Sequence, residues 1–397
     1  MHDTPWLSII GLGEDGPDGL SVASRKALDS AEIIMGPARH LALIGASKAK
    51  QIEWPVPFAD GIEKLATFRG RSVAVLVSGD PFWYGAGSVF ANRFERSEWQ
   101  AFPTLSIFSL AASRLGWAIE KTLCIGLHAA PLTRLRPHIA HGAKAIVLLR
   151  DGDAVSELRA YLAEIGFGHS QFHILEALNG PRENITAVKT NDDLPAQISH
   201  PVCVGVEFFG GSEIPKSSGL EDALFDNDGQ ITKRPIRALT LSALAPKRGE
   251  HLLDIGGGSG SISIEWLLSD PTTSATIVEA NPDRATRIRE NANRLGVDRL
   301  KIVVGKAPIV LDGISPSAVF IGGGLSQELL QQLHETLAKG TRLVANAVTL
   351  ESEALLVEWQ SKVGGDLMRV EISSLTSIGP KRAWDAAYPI VQWSVTL

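Results

Sequence analysis

The chain has only two cysteines in 397 residues, Cys124 and Cys203. They stand far apart, each in an apolar run of strand character and without the paired Cys/His spacing of a zinc site, so both read as core thiols. His128, His138 and His141 lie close in sequence, yet no acidic or thiol ligand accompanies them at usable spacing. They read as ordinary histidines, and no metal site is expected. Long apolar runs are missing as well: no segment approaches the roughly 18 uninterrupted apolar residues of a membrane span. The opening Met1-His2-Asp3-Thr4-Pro5 has no basic region leading into an apolar stretch. A cytoplasmic protein with no membrane partner is expected. Positive charge is in deficit too, with 38 Lys and Arg against 44 Asp and Glu and a net charge of −6. That argues against broad binding to nucleic acid or anionic membranes, which needs a basic surface. An anionic substrate must then be met by local cationic clusters.

With 44% hydrophobic residues, the chain has ample core for two or three α/β domains. The stretch Asp254-Ile255-Gly256-Gly257-Gly258-Ser259-Gly260 is the most informative. It follows the apolar pair Leu252-Leu253, which reads as a buried strand, and leads into the helical periodicity of Ile262 to Leu268. Glycines suit a sharp turn where a ligand lies against bare backbone. A second apolar run, Ala275 to Val278, puts Glu279 at the carboxyl end of the neighbouring strand, where its carboxylate can accept both hydroxyls of a ribose. A nucleoside ligand follows. A dinucleotide fingerprint would need its third glycine at position 261, which is Ser261; glycines fall at 256, 258 and 260 instead. This Asp-x-Gly-x-Gly-x-Gly pattern resembles the first motif of the Rossmann-like methyltransferases that use S-adenosylmethionine. A nicotinamide site and a ligand-free glycine turn are the alternatives.

The amino-terminal half opens with a strand, Leu7 to Ile10, and then Gly11, Gly13 and Gly16, which match the dinucleotide pattern literally. The match is read as false. Gly16-Pro17-Asp18-Gly19 forces further turns before a helix can begin near Ser21, and Glu14 and Asp15 sit where a phosphate would go. A second strand, Val73 to Val77, runs into Ser78-Gly79-Asp80-Pro81. Pro103-Thr104-Leu105-Ser106-Ile107 precedes a helical stretch from Leu110 to Trp117. Leu127-His128 and Leu175 to Gly180 with Glu183 follow, and strands are expected at Ala145–Leu149 and Val202–Val206 around a helix from Ala154 to Ile165. Together these resemble the tetrapyrrole methylases, whose fold is two α/β lobes holding S-adenosylmethionine between them. Thr104 and Ile107 depart from that family, which usually has glycine and serine there. The resemblance implies cofactor contacts at Gly79, Asp80, Pro81 and Ser106.

From Gly210 to Gly229 the composition turns to Gly, Ser, Pro, Asp and Asn, which reads as a boundary. The expected domains are 1–209 and 231–397, with a linker at 210–230. In the second, a helix from Ala238 to Leu244 precedes the glycine-rich strand. Asn281 and Pro282 start another helix that Gly296 closes. The third strand, Leu300 to Val304, ends in Gly305-Lys306-Ala307-Pro308. Many methyltransferases of this class have an acid there for the adenine amino group; with Lys306 in its place, adenine is expected to be held by the backbone, around Gly305 and Ala307, or by another side chain. The fourth strand, Ala318 to Ile321, ends in Gly322-Gly323-Gly324, where enzymes acting on nucleic-acid amino groups carry Asn/Asp-Pro-Pro-aromatic. A nucleic-acid substrate is therefore not expected. A helix from Gln327 to Leu337, a strand from Thr341 to Ala345 and a helix from Leu350 to Trp359 follow, and Met368–Ser374 and Tyr388–Val395 read as the final strands.

This half, with its glycine run and its Asn-Ala-Val-Thr-Leu-Glu passage, resembles the decarboxylating methyltransferases of corrin synthesis. The fusion implies an S-adenosylmethionine-dependent C-methyltransferase of vitamin B12 formation. Its expected reaction adds methyl groups to precorrin-6B at carbons 5 and 15 and removes carbon dioxide from the ring C acetate, giving precorrin-8X. The conjugated macrocycle can take up the electrons released with carbon dioxide, so no metal or pyridoxal is required. The cluster Lys233, Arg234 and Arg237, with Lys381 and Arg382 in the loop between the final strands, is the expected seat of the substrate carboxylates. A homo-oligomer is expected. The rival reading keeps the second half as a methyltransferase of another small molecule, with the first half a docking domain.

Overall fold

The computed structural model describes residues 5–189 and 192–397. The chain forms two compact units, one comprising Met1–Leu132 and Ala140–Ser212, the other Thr133–Ile139 and Glu213–Leu397.

The first unit contains two sheets. Strands β1 (Leu7–Leu12), β2 (Ile33–Gly36), β3 (Lys50–Glu53), β4 (Val73–Ser78) and β5 (Trp99–Phe102) form an all-parallel sheet in the order β3-β2-β4-β1-β5. The near-continuous apolar runs in β1, β2 and β4 follow from burial on both faces. The second sheet has β6 (Leu123–Gly126), β7 (Lys144–Leu148), β8 (Gln171–Glu176), β9 (Asn184–Val188) and β10 (Val202–Glu207), in the order β6-β7-β10-β8-β9. Only β6 and β7 pair in parallel. β10, the last strand of this unit in chain order as expected, lies between β7 and β8.

In the second unit, β11 (His251–Ile255), β12 (Ser274–Glu279), β13 (Lys301–Val304), β14 (Ala318–Ile321), β15 (Arg342–Ala347), β16 (Asp366–Val370) and β19 (Ile390–Thr396) form one sheet, in the order β13-β12-β11-β14-β15-β19-β16. The first five strands are parallel and β19 runs antiparallel between β15 and β16. The order reverses at β11 and β14, which places a crevice beyond their carboxyl ends. This is the Rossmann-like methyltransferase architecture.

Two expectations need correction here. Residues 368–374 are not one strand: β16 stops at Val370, and β17 (Ser373–Ile378) pairs only with β18 (Lys381–Ala386) as a separate hairpin. Lys381 and Arg382 are therefore on a strand, not in a loop. Alternation of polar and apolar residues cannot separate two exposed strands joined by a short bend from one longer strand.

Nor is 210–230 free chain. Ile214, Leu220 and Phe225 are buried in the core of the second unit. Three isolated anchors leave no periodicity to read. The helix that follows starts earlier than expected, at Arg234 (Arg234–Leu244), with Pro235 in its first turn.

Candidate active sites

The crevice of the second unit is made largely of backbone. Gly256 continues the turn after β11 at φ 79, and a Cβ there would come within 2.5 Å of Gly323 N in the turn after β14. The two glycine turns thus lie on one another, which gives Gly322-Gly323-Gly324 a structural reason besides ligand access. Gly256 N donates to Val278 O (3.0 Å) and Gly305 N to Glu279 O (3.0 Å), so the turns after β11 and β13 are both tied to the end of β12. Glu279 is buried there. Its Oε2 accepts from Gly258 N at 2.9 Å and its Oε1 from Asn281 N at 2.9 Å. One carboxylate so bridges the glycine turn and the start of the helix Pro282–Arg294, whose cap is the Asn281 side chain. These groups enclose a cavity of about 320 Å3 lined by Gly256, Gly258, Glu279, Gly305, Lys306 and Ala307, among others.

Gly260 is not part of that lining. It caps the helix Ser261–Ser269 at φ 78, and a Cβ would sit 2.9 Å from Ile288 Cγ2, so helix packing accounts for it. Beneath the turn, the fully buried Asp254 accepts from Ser263 Oγ at 2.7 Å, and its other oxygen has no hydrogen-bond partner. Burial pushes its pKa up to about 7, against the pull of the Ser263 bonds and with help from the Glu279 charge.

The expected carboxylate-binding cations do not assemble. Arg237 is wholly buried: its guanidinium pairs with Glu265 (2.5 Å) and Asp222 (3.1 Å), donates to the carbonyls of Thr232 and Leu220, and covers the Phe225 ring at 4.8 Å. With no exposed surface it is shut off from any ligand, and its work is to fasten 219–225 to the second unit. Arg234 is exposed beside Glu221 at 3.9 Å, and Arg382 is exposed on β18; neither lines the cavity. The cations that do are Lys306 and Arg284, the latter bonded to Asp228 at 2.8 Å. Arg284 sits in the first turn of a helix, where the sequence offers no sign that it faces a site.

The first unit holds a larger cleft, about 420 Å3, reached by Gly79, Asp80 and Ser106. Gly79 turns at φ 56, and a Cβ on Gly11 would lie 2.0 Å from Gly79 O. Gly11 is thus needed for chain packing, which supports rejecting the dinucleotide pattern. Asp80 Oδ1 accepts from Phe82 N at 2.8 Å and fixes the turn. Pro81 does not reach the cleft; it is buried behind the turn and its carbonyl accepts from Gly87 N at 2.8 Å. Ser106 caps the helix Ile107–Leu115 by accepting from Ser109 N at 3.1 Å. The rest of the wall escaped sequence reasoning: Trp83 and Tyr84, and the basic Arg39, Arg150 and His200. They come from four separate stretches, and only the fold brings them to one opening.

Comparison with known proteins agrees with this two-part construction. Residues 7–192 match the family described as tetrapyrrole (corrin/porphyrin) methylases, and residues 223–397 the family described as precorrin methyltransferase domain. A Sinorhizobium protein named precorrin-6Y C(5,15)-methyltransferase [decarboxylating] is 43% identical over 99% of this chain and 97% of its own. A Salmonella typhimurium protein named cobalt-precorrin-6B C(15)-methyltransferase (decarboxylating) is 34% identical over 167 residues, 40% of this chain and 86% of its own. The crystal structure of the C-terminal domain of precorrin-6Y C5,15-methyltransferase from Rhodobacter capsulatus is 49% identical, covers 46% of this chain and 100% of its own, and has a TM-score of 0.45.

Proposed function

We propose, from the premise that the chain belongs to the precorrin-6Y C(5,15)-methyltransferase [decarboxylating] family, that its two units are two methyl-transfer sites acting on one tetrapyrrole. The chain is a decarboxylating precorrin C-methyltransferase of cobalamin biosynthesis, and membership of a methyltransferase family implies S-adenosylmethionine as donor. The domains proper are taken as 1–209 and 231–397, with 210–230 as the connection, whose Ile214, Leu220 and Phe225 pack into the core of the second. The second is assigned methylation at carbon 15 and loss of carbon dioxide, the first methylation at carbon 5. In support, the Salmonella protein unites carbon 15 and decarboxylation in its name at a length that suits one domain and not two.

The observation that carries the reading is the Glu279 bridge across a cavity floored by glycine backbone. Gly256 and Gly258 present bare backbone to the cavity, and Glu279, though engaged by two N–H groups, keeps lone pairs for a ribose. Gly305 and Ala307 are assigned to the adenine, and Gly79, Asp80 and Ser106 to a second donor in the first unit. When bound, S-adenosylmethionine supplies a methyl group already activated on its sulfonium. The protein's share is alignment of the acceptor carbon with that methyl and exclusion of water. Exposed Ile309, Val348 and Leu350, just past the carboxyl ends of β13 and β15, offer an apolar rim for a flat ring. Incubation with labelled S-adenosylmethionine and precorrin-6B, with product methyls and carbon dioxide counted by mass, tests the reading. Two methyls and one carbon dioxide per macrocycle are expected; one methyl would leave the first unit a docking domain.

A further inference from the structure

At the cleft of the first unit two guanidinium groups lean on a single carboxylate. Arg39 stands in the first turn of the helix Ala38–Ile44, just beyond β2, and lines the cleft beside Ser78 at the end of β4. Its guanidinium pairs with Glu14 and lies 2.8 Å from His40 Nε2 and 3.2 Å from Ser78 Oγ. Arg182 approaches the same Glu14 at 3.2 Å. Two guanidinium groups therefore share one carboxylate, which is itself buried.

Among the described residues, no second carboxylate pairs with Arg39 or Arg182. His40 is 1% exposed, and burial with the Arg39 charge holds its pKa down to about 4, so the ring is neutral. A guanidinium has only N–H groups to present, so Nε2 accepts. His200 also lines the cleft, and burial, Arg39 and Arg182 push its pKa down. Asp80 accepts from the Phe82 N–H and Asp15 from Asn179 at 2.5 Å, and neither carboxylate is paired with Arg39 or Arg182. Arg150, at the same opening, is different: Asp151 at 2.7 Å and Glu157 at 3.2 Å already answer its charge.

An uncompensated cation in a half-desolvated wall is costly unless an anion arrives. With a net charge of −6, the chain as a whole cannot draw that anion in from a distance. A purely structural tie would also bury its cations, yet the Arg39 side chain keeps 30% and the Arg182 side chain 58% of its surface open.

We propose, building on the two-site reading above, that Arg39 and Arg182 form a carboxylate receptor with Glu14 as its resident counter-ion, and that a side-chain carboxylate of the tetrapyrrole acceptor is what it receives. The methionine end of the donor is the other source of the same chemistry, and the test separates the two.

The full-length protein is assayed for each methyl addition by mass, with donor binding followed by calorimetry. Arg39→Gln is expected to raise KM for the tetrapyrrole at least tenfold for the methyl added in the first unit. The other methyl, the carbon dioxide and the donor affinity should stay as they are. Glu14→Gln should act in the opposite direction, lowering that KM severalfold, because it removes a competing carboxylate. Opposite signs are the signature, since a structural ion pair or a misfolded variant loses activity with either change. Loss in both variants, or no change in either, overturns the receptor. Weaker donor binding in Arg39→Gln with tighter binding in Glu14→Gln overturns the acceptor as its occupant and assigns the donor. A wild-type protein that adds no methyl to the tetrapyrrole refutes the two-site reading itself, independently of either variant.

Discussion

The two cavities of this chain solve the same problem with different materials. In the second unit the walls are peptide backbone, and the sole carboxylate at the lip is held by two N–H groups. In the first unit side chains make much of the wall: two exposed aromatic rings, two arginines, two histidines and a serine that caps a helix. A backbone site fixes its ligand geometry in the fold and changes little from one acceptor to another. A side-chain site can be retuned residue by residue, and its charges are held in place by ion pairs. The comparison can be broken or sharpened experimentally, beginning with the change of largest effect.

Arg237 tests whether the second unit uses its buried charge for structure alone. Removing one member of a buried, hydrogen-bonded pair typically costs about 3–5 kcal/mol. Arg237→Gln should therefore unfold or strongly destabilise the second unit, seen as a lowered Tm and loss of donor binding there. A variant that melts normally and loses only tetrapyrrole affinity would restore the substrate role that the sequence suggested.

That reversal marks where the sequence stops being legible. The glycine turn, Glu279 and the Asn281 cap were readable because backbone sites demand residue types that little else explains. Strand and helix spans in both units followed from apolar runs for the same reason. Arg237 was not readable: a basic residue before a strand reads as surface, and only the return of Leu220 and Phe225 over it reveals a core position. The cleft of the first unit was half readable, through Gly79 and Ser106. Arg39 and His200 lie 161 residues apart by number and meet only through the fold.

The units should also respond to pH with opposite slopes. Asp254 ionises at about 7 in the folded chain against an ordinary 3.8, so the folded state keeps a proton that the unfolded state has released. Stability of the second unit then falls as pH rises from about 4 to about 7, by roughly 4 kcal/mol at 1.36 kcal/mol per unit. His40 titrates at about 4 against an ordinary 6.5, so here the unfolded state takes the proton first. Stability of the first unit is lost as pH falls from about 6.5 to about 4, by roughly 3 kcal/mol. Melting of Asp254→Asn and His40→Gln beside wild type at pH 5 and pH 8 reads the difference. Asp254→Asn should gain relative stability at pH 8, and His40→Gln at pH 5; parallel pH profiles would refute both assignments.

A smaller effect separates the two donor sites. Glu279→Ala leaves the N–H groups of Gly258 and Asn281 without their acceptor and removes the ribose partner, a loss of about 2 kcal/mol in donor binding. Calorimetry on the full chain should show one of two sites weakened by one to two orders of magnitude and the other unchanged. Equal weakening of both, or of neither, would remove Glu279 from its assigned role.

The smallest change asks how closely each cavity depends on the helix beside it. Ser106 caps the helix Ile107–Leu115 at the first cleft, and Asn281 caps Pro282–Arg294 next to Glu279. Each cap replaced by alanine should cost about 1 kcal/mol of stability. Their effects on ligands should differ. Glu279 is held by the Asn281 backbone N–H, not by its side chain, so Asn281→Ala leaves that bond in place and donor affinity in the second unit should stay within about twofold. Ser106 lines its cleft directly, and its hydroxyl also meets Ser109 Oγ at 3.0 Å, so Ser106→Ala removes cap and wall together. Donor affinity in the first unit should fall several-fold for the same loss of Tm. If both variants lose stability equally and neither loses affinity, the first cavity is as independent of its side chains as the second, and the contrast between a backbone site and a side-chain site fails.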